Sequence, residues 1–206
     1  MEIKVISLGH IAVNCYMIST DKAAIVIDPG FSSAVVENFL LENADKERLI
    51  LLTHGHFDHI GGAADLRDVT DTDIAIGEKE NFALSDMEYN LSDRFHAHLE
   101  PFSADILLKD GEEFLVGDIK LKTILTPGHT VGGVSYLIDD ILFSGDTLFN
   151  LSIGRTDFPG GDLKVLKDSI KKLFLLNGDT TVLSGHGEPT TIQFEKDNNP
   201  FLKGTI

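Results

Sequence analysis

Cysteine occurs once in the 206 residues, as Cys15. An intrachain disulfide is therefore excluded, and a reducing, cytoplasmic setting is the expectation. Cys15 lies in the apolar run Asn14-Cys15-Tyr16-Met17-Ile18, a place for a buried thiol rather than a reactive one. No apolar stretch approaches the ~20 residues that cross a bilayer, so no membrane partner is expected. The first residues, Met1-Glu2-Ile3-Lys4-Val5, lack the basic start, long apolar region and cleavage site of a signal peptide. Positive charge is scarce as well: 17 Lys and Arg face 33 Asp and Glu, a net charge of −16. That balance repels phosphate backbones and argues against nucleic acid as a partner. Linkers, low-complexity tracts and composition breaks are absent, so residues 1–206 read as one domain.

What is present is a series of short apolar runs punctuated by turn residues. Residues 2–8, 13–19 and 23–27 read as three strands, the third ended by Asp28-Pro29-Gly30. Residues 33–42 carry Val36, Phe39 and Leu40 at helical spacing. Leu49 to Leu52 reads as a buried strand, 60–67 as a helix and 74–76 as a short strand. Residues 78–104 read as a helix plus a long polar excursion. Strand pairs follow at 113–116 with 119–125, and at 134–138 with 141–143. Asp162 can cap a helix whose apolar stripe is Leu163, Leu166, Ile170, Leu173 and Phe174. Residues 181–183 read as a last strand and 190–197 as a closing helix. Strand pairs alternating with helices predict two mixed sheets with helices outside.

Residues 53–62, Thr-His-Gly-His-Phe-Asp-His-Ile-Gly-Gly, place His54, His56, Asp58 and His59 within six positions. Neutral imidazole and carboxylate are ligands that zinc, iron and manganese accept. Neighbouring side chains point in different directions, so four ligands on so short a segment do not easily share one ion. The spacing suggests two adjacent metals, one on His54 and His56, the other on Asp58 and His59. The alternative is a polar loop that happens to be rich in histidine. A second pattern recurs along the chain. Leu49 to Thr53 runs into His54, Lys122 to Gly128 into His129, Ile141 to Gly145 into Asp146, and Thr181 to Gly185 into His186. Each is an apolar strand, a few small or turn residues, then a side chain able to bind metal. Ligands gather beyond the carboxyl ends of strands in open α/β sheets, so four such ends could converge at one edge.

The segment His54-Gly55-His56-Phe57-Asp58-His59, followed by Gly61-Gly62, resembles the metal motif of the metallo-β-lactamase superfamily. His129 after Pro127-Gly128, Asp146 in Ser144-Gly145-Asp146-Thr147 and His186 in Ser184-Gly185-His186-Gly187 match its other ligand motifs in order. Asn14-Cys15-Tyr16 and Ile27-Asp28-Pro29-Gly30 also resemble family positions, and the resemblance spans nearly the whole chain. It implies an α/β fold, the αββα four-layer sandwich of two mixed β-sheets with helices on the outer faces. It implies that His54, His56 and His129 hold one metal, that Asp58, His59 and His186 hold a second, and that Asp146 bridges them. The implied cofactors are two divalent ions, zinc first, with iron or manganese as alternatives. A hydroxide bridging ions ~3.5–4 Å apart would be available at neutral pH. Asp58 would take a catalytic part by orienting it.

Such a centre suits hydrolysis of an ester, thioester, lactone, amide or phosphodiester without a serine or cysteine nucleophile. Residues 154–162, Gly-Arg-Thr-Asp-Phe-Pro-Gly-Gly-Asp, resemble a segment of small glyoxalase II-like hydrolases and, in part, of persulfide dioxygenases. In glyoxalase II a basic residue here contacts the glutathione part of the thioester. Arg155 is its counterpart, or else it pairs with Asp157 or Asp162. Phe158 lines the pocket or belongs to the core. Full-length glyoxalase II carries a C-terminal helical domain with further glutathione contacts, and about twenty residues after His186 leave none expected here. The expected activity is hydrolysis of S-lactoylglutathione, another small acyl-thiol or a related ester. The alternatives are a mononuclear iron persulfide dioxygenase, a lactonase and a non-catalytic metal-binding scaffold. His96 and His98 alternate like ligands but lack a carboxylate or glycine frame, so they read as surface or pocket-rim residues. His10 could reach behind the ligands or sit in a loop. Asp28 reads as a support for the site or as a turn residue.

Overall fold

The computed structural model describes residues 1–203. The first three apolar runs pair antiparallel in chain order, as β1 (Glu2–Leu8), β2 (Val13–Ser19) and β3 (Ala23–Ile27). The chain crosses over through α1 (Ala34–Glu42) and returns as β4 (Glu47–Leu52), parallel to β3. Helices α2 (Phe57–Ile60) and α3 (Ala63–Thr70) lead to β5 (Ile74–Gly77), parallel to β4. An excursion containing a 3-10 turn at Asn81–Leu84 and α4 (Ser92–Phe95) leads to β6 (Ile106–Leu108), parallel to β5. Parallel neighbours require such crossovers, because the end of one strand and the start of the next lie at opposite edges.

The second sheet begins as an antiparallel meander of β7 (Glu113–Val116), β8 (Ile119–Leu125), β9 (Val134–Ile138) and β10 (Ile141–Gly145). A short hairpin, β11 (Leu148–Phe149) and β12 (Ser152–Ile153), follows. Helix α5 (Leu163–Leu173) carries the chain to β13 (Thr181–Ser184), parallel to β10. β14 (Thr190–Thr191) and α6 (Ile192–Asn198) close the order. The two six-stranded sheets run β1-β2-β3-β4-β5-β6 and β14-β13-β10-β9-β8-β7.

The period of two along each strand sorts side chains into layers. Ile25 and Ile27 of β3 and Leu49 and Leu51 of β4 face the second sheet, where they meet Leu121, Tyr136, Ile138 and Phe143. The alternate residues, Ala24, Val26, Ile50 and Leu52, pack against Val36 and Leu40 of α1 and Leu66 of α3. On the far side, Ile124, Leu142 and Val182 meet Leu166, Ile170 and Leu173 of α5 and Ile192 of α6. Both faces of each central strand are covered, which is why β3 and β4 read as continuous apolar runs. Helix, sheet, sheet, helix is the four-layer α/β sandwich expected.

Two buried tyrosines cross between the sheets and need partners for their hydroxyls. Tyr136 of β9 donates to the carbonyl of Leu52 at 2.7 Å, and Tyr16 of β2 donates to that of Ser184 at 2.6 Å. These carbonyls end β4 and β13, just before His54 and His186, so both strand ends are fixed from the opposite sheet.

The structure departs from the sequence expectations where local pattern is weak. The helix expected at 60–67 is two helices, separated at Gly61-Gly62, whose missing Cβ atoms let the backbone of residues 29–31 pass. The helix expected within 78–104 is only the 3-10 turn and the single turn of α4. The closing helix begins at Ile192, after β14, with the Thr191 hydroxyl accepting from the Phe194 N–H at 3.2 Å. β6, β11 and β12 are too short to carry a period. Asp162 does cap α5, accepting the Val165 N–H at 2.9 Å. Asp162→Ala therefore costs about 1 kcal/mol, a fall in Tm of about 2–4 °C; an unchanged melting curve would contradict this cap.

Candidate metal centre

β4, β8, β10 and β13 deliver His54, His129, Asp146 and His186 to one edge of the sandwich, and α2 delivers the rest of the histidine segment. His56 precedes α2 in extended conformation, while Asp58 and His59 occupy its only turn. That change of backbone still leaves the centres of the His54 and His59 rings only 4.0 Å apart. Three groups result, His54-His56-His129, His54-His59-Asp146 and Asp58-His59-His186, each with ligand atoms within 4.8 Å of one another. All seven residues named from the sequence are therefore brought together. Asp146 lies between the sets, with Oδ1 3.4 Å from His59 Nε2 and Oδ2 3.5 Å from His129 Nε2. Asp58 Oδ2 lies 3.2 Å from His186 Nε2. Gly185 makes this closeness possible, since a Cβ there would strike the Asp146 carboxylate and the His59 ring.

The hydrogen bonds behind the rings decide which nitrogens face inward. Asp28, at the end of β3, accepts the Thr53 N–H on Oδ1 at 2.8 Å and the Thr53 hydroxyl on Oδ2 at 2.7 Å. The Thr53 oxygen has spent its proton and can only accept, so His54 Nδ1–H donates to it at 3.1 Å. His59 Nδ1–H donates to Asp28 Oδ2 at 2.8 Å, and His129 Nδ1–H to the Arg155 carbonyl at 2.7 Å. The Nε2 atoms of His54, His59 and His129 thus point into the cluster. His56 Nδ1 sits 3.1 Å from His54 Nε2 and 3.0 Å from His129 Nε2. It has at most one proton to share between two lone pairs. His59 Nε2 and Asp146 Oδ1 are buried without hydrogen-bond partners. Converging lone pairs and orphaned buried atoms fit divalent-cation binding by this cluster, and nitrogen with carboxylate oxygen suits zinc, iron or manganese.

Charge divides the cluster. Burial pushes His54 well below its usual range and, with neighbouring His129, brings His56 down to about 3. Burial lowers His129 too, despite Asp146 beside it. These three rings are neutral at physiological pH, the form that binds metal. Burial also opposes a charge on His59, but Asp146, Asp28 and Asp58 outweigh it and raise the ring well above its usual range. His186 is raised against burial by Asp58 and Asp146. Burial works against ionised Asp58 and Asp146 as well, yet the surrounding histidines hold both carboxyls low.

A cavity of about 490 Å³ opens above the cluster, floored by His56, Asp58, His129, Asp146 and His186. Arg155 and Phe158 both line it. The Arg155 guanidinium stacks 3.8 Å from the Phe158 ring centre and forms two 2.7 Å hydrogen bonds to Asp157, so the pairing weighed from sequence is the one present. His96 and His98 are exposed and do not line the cavity, and neither does exposed His10, which rests edge-on to Phe31. Glu80 was not singled out from sequence. Fully buried, it accepts the Gly55 N–H at 3.1 Å and the Gly132 N–H at 2.7 Å, tying the histidine loop to the loop that carries His129. Its signal was faint, one acidic residue in a polar stretch with no period.

Residues 8–186 match the metallo-beta-lactamase superfamily. The chain belongs to this superfamily. Its metal dependence accords with the donor groups described. The chain is 38% identical over 201 residues to the probable metallo-hydrolase YqgX of Bacillus subtilis, covering 96% of this chain and 95% of that protein. It is 35% identical to the hydroxyacylglutathione hydrolase GloC of Haemophilus influenzae, over 98% of this chain and 98% of that one. Among solved structures, the B3 metallo-beta-lactamase BLEG-1 superposes with a TM-score of 0.89 at 41% identity, covering 98% of this chain and 100% of the other. TTHA1623, solved in a di-iron-bound form, gives 0.79 at 31% identity, with 97% and 100% covered. No helix among the described residues is long and apolar enough to cross a membrane.

Two predictions follow from this superfamily site. His59, raised well above the ordinary imidazole value of ~6.5, holds a proton at neutral pH that ligation must displace, and the upward shift of His186 works in the same direction. Zinc titration of the metal-free protein should release protons, read by calorimetry in buffers of different ionisation enthalpy, and affinity should rise with pH towards the folded His59 value. Absence of release at pH 7 would contradict the charge assignment. Glu80→Gln leaves one buried N–H without an acceptor and should weaken zinc retention about 10–100-fold in chelator competition. Wild-type affinity in a folded variant would remove Glu80 from the site.

Proposed function

We propose that the chain is a two-metal hydrolase of small acyl-thiols or related esters. The observation that carries this reading is the cavity itself. Its floor is the shared donor cluster, and among the described residues no serine, threonine, cysteine or lysine lines it. Cys15 is fully buried elsewhere, and burial pushes its thiol far above the range of a nucleophile. Water is therefore the nucleophile the site can supply. The GloC relative supports a thioester as the bond that is cleaved.

His54, His56 and His129 would hold one ion and Asp58, His59 and His186 the other, with Asp146 between them. Bound divalent ions acidify a water molecule and polarise a carbonyl oxygen. Zinc is the proposed metal, and the di-iron neighbour makes iron the other choice. The chain's own contribution is orientation and proton handling. Asp28, through Thr53 and directly, sets the His54 and His59 rings, and the Arg155 carbonyl sets His129. Asp58, kept ionised by His59 and His186, can orient the attacking water and accept its proton. The apolar walls exclude bulk water from the reacting carbonyl.

Metal analysis of the purified protein, followed by a panel of S-lactoylglutathione, simple thioesters, esters and lactones, tests the proposal. About two metals per chain and thioester cleavage are expected, with His54→Ala folded but inactive. A fully loaded protein inert to the whole panel would overturn it. One iron per chain with oxygen consumption on glutathione persulfide would replace it by the dioxygenase reading.

A further inference from the structure

The walls of the cavity go beyond the bond cleaved to the groups attached to it. Phe158 stands edge-on to His56 with ring centres 6.0 Å apart, and Phe149 stands edge-on to His186 at 6.4 Å. Apolar surface therefore begins directly beside both donor groups. From Phe158 it continues to Phe95 at 6.4 Å, and Phe95 stacks on Phe57 at 5.2 Å. Leu91 and Ile153 complete this wall. Phe95 is 45% exposed, an aromatic ring at the cavity mouth with one face stacked on Phe57 and much of the rest open.

The polar side of the inventory is as telling. Among the described residues lining the cavity, Arg155 is the one Arg or Lys. Its Nε and Nη2 both hydrogen-bond to Asp157, and its plane lies on Phe158. The edge that would grip a substrate carboxylate is turned to a carboxylate of the chain itself. The remaining charged groups at the floor include two acids, Asp58 and Asp146, in a chain of net charge −16. Arg94, whose guanidinium lies 5.0 Å from the Phe158 ring centre, stands outside the lining. Among the described lining residues a polyanionic thiol meets no Arg or Lys free of an acidic partner, whereas an alkyl or aryl group meets surface that gains by being covered.

We infer that the cavity selects thioesters or esters bearing an apolar alkyl or aryl group next to the scissile carbonyl, seated between Phe149 and the Phe158–Phe95 wall. This inference rests on the hydrolase reading above. The group can belong to the acyl half or to the leaving half, and two substrate series separate these. One lengthens the acyl chain of N-acetylcysteamine thioesters from acetyl to octanoyl. The other keeps acetyl and lengthens a neutral alkyl thiol. With metal-loaded protein, kcat/KM should rise about 3–4-fold per methylene in the series whose variable half occupies the wall. Phe149→Ala or Phe95→Ala should flatten that slope. The matching non-hydrolysable thioethers, measured by calorimetry, should show the same slope in Kd without turnover. Flat or falling trends in both series and in thioether binding would overturn the inference, even if S-lactoylglutathione is cleaved well. Graded thioether binding with no hydrolysis of any substrate would leave the apolar site standing and sink the hydrolase reading instead.

Discussion

One buried carboxylate holds the arrangement together. Asp28 ends β3 with φ of 52°, a left-handed conformation that a side chain tolerates only when its surroundings insist on it. What insists is a set of three hydrogen bonds, to the Thr53 N–H, the Thr53 hydroxyl and His59 Nδ1. Through them the end of β3 determines where β4 ends, which tautomer His54 adopts and how α2 is turned. An amide at this position could not accept all three, and two of the rings would lose their bearings.

The histidine cluster shows how burial and charge can be set against each other in a small volume. One side of it is imidazole so deeply buried that desolvation outweighs the nearby carboxylates, and it stays neutral. The other is imidazole enclosed by Asp28, Asp58 and Asp146, and carries charge in the metal-free chain. The two sides differ in what faces the ring, not in the residue. The chain's large acidic excess plays little part in this, because few of its carboxylates are buried.

Much of this was legible beforehand, for a physical reason. Strand ends announce themselves when an apolar run stops at glycine, threonine or serine, and His54, His129, Asp146 and His186 each stood just past such a stop. Spacing within 54–59 also pointed to metal donors, and the backbone does change from extended to helical between His56 and Phe57, but His54 and His59 each belong to two of the three donor groups rather than to separate ones. What was hidden lies where contact is made across space without period. Glu80 reaches two loops 25 and 52 positions away. Phe95 and Phe149 sit in elements of four and two residues, too short to show a face. The break at Gly61-Gly62 was concealed because glycine inside a helical pattern looks tolerable until a neighbouring backbone is seen against it.

The donors have a further geometric property. His54, His56, Asp58 and His59 hang from the first sheet, while His129, Asp146 and His186 hang from the second. An ion shared between them would act as a rivet through the seam of the sandwich, next to the tyrosine hydroxyls that already stitch it. Cofactor loading and mechanical cohesion of the two halves are then the same event, and a chain stripped of its ions would be loosened first along the line where its chemistry takes place.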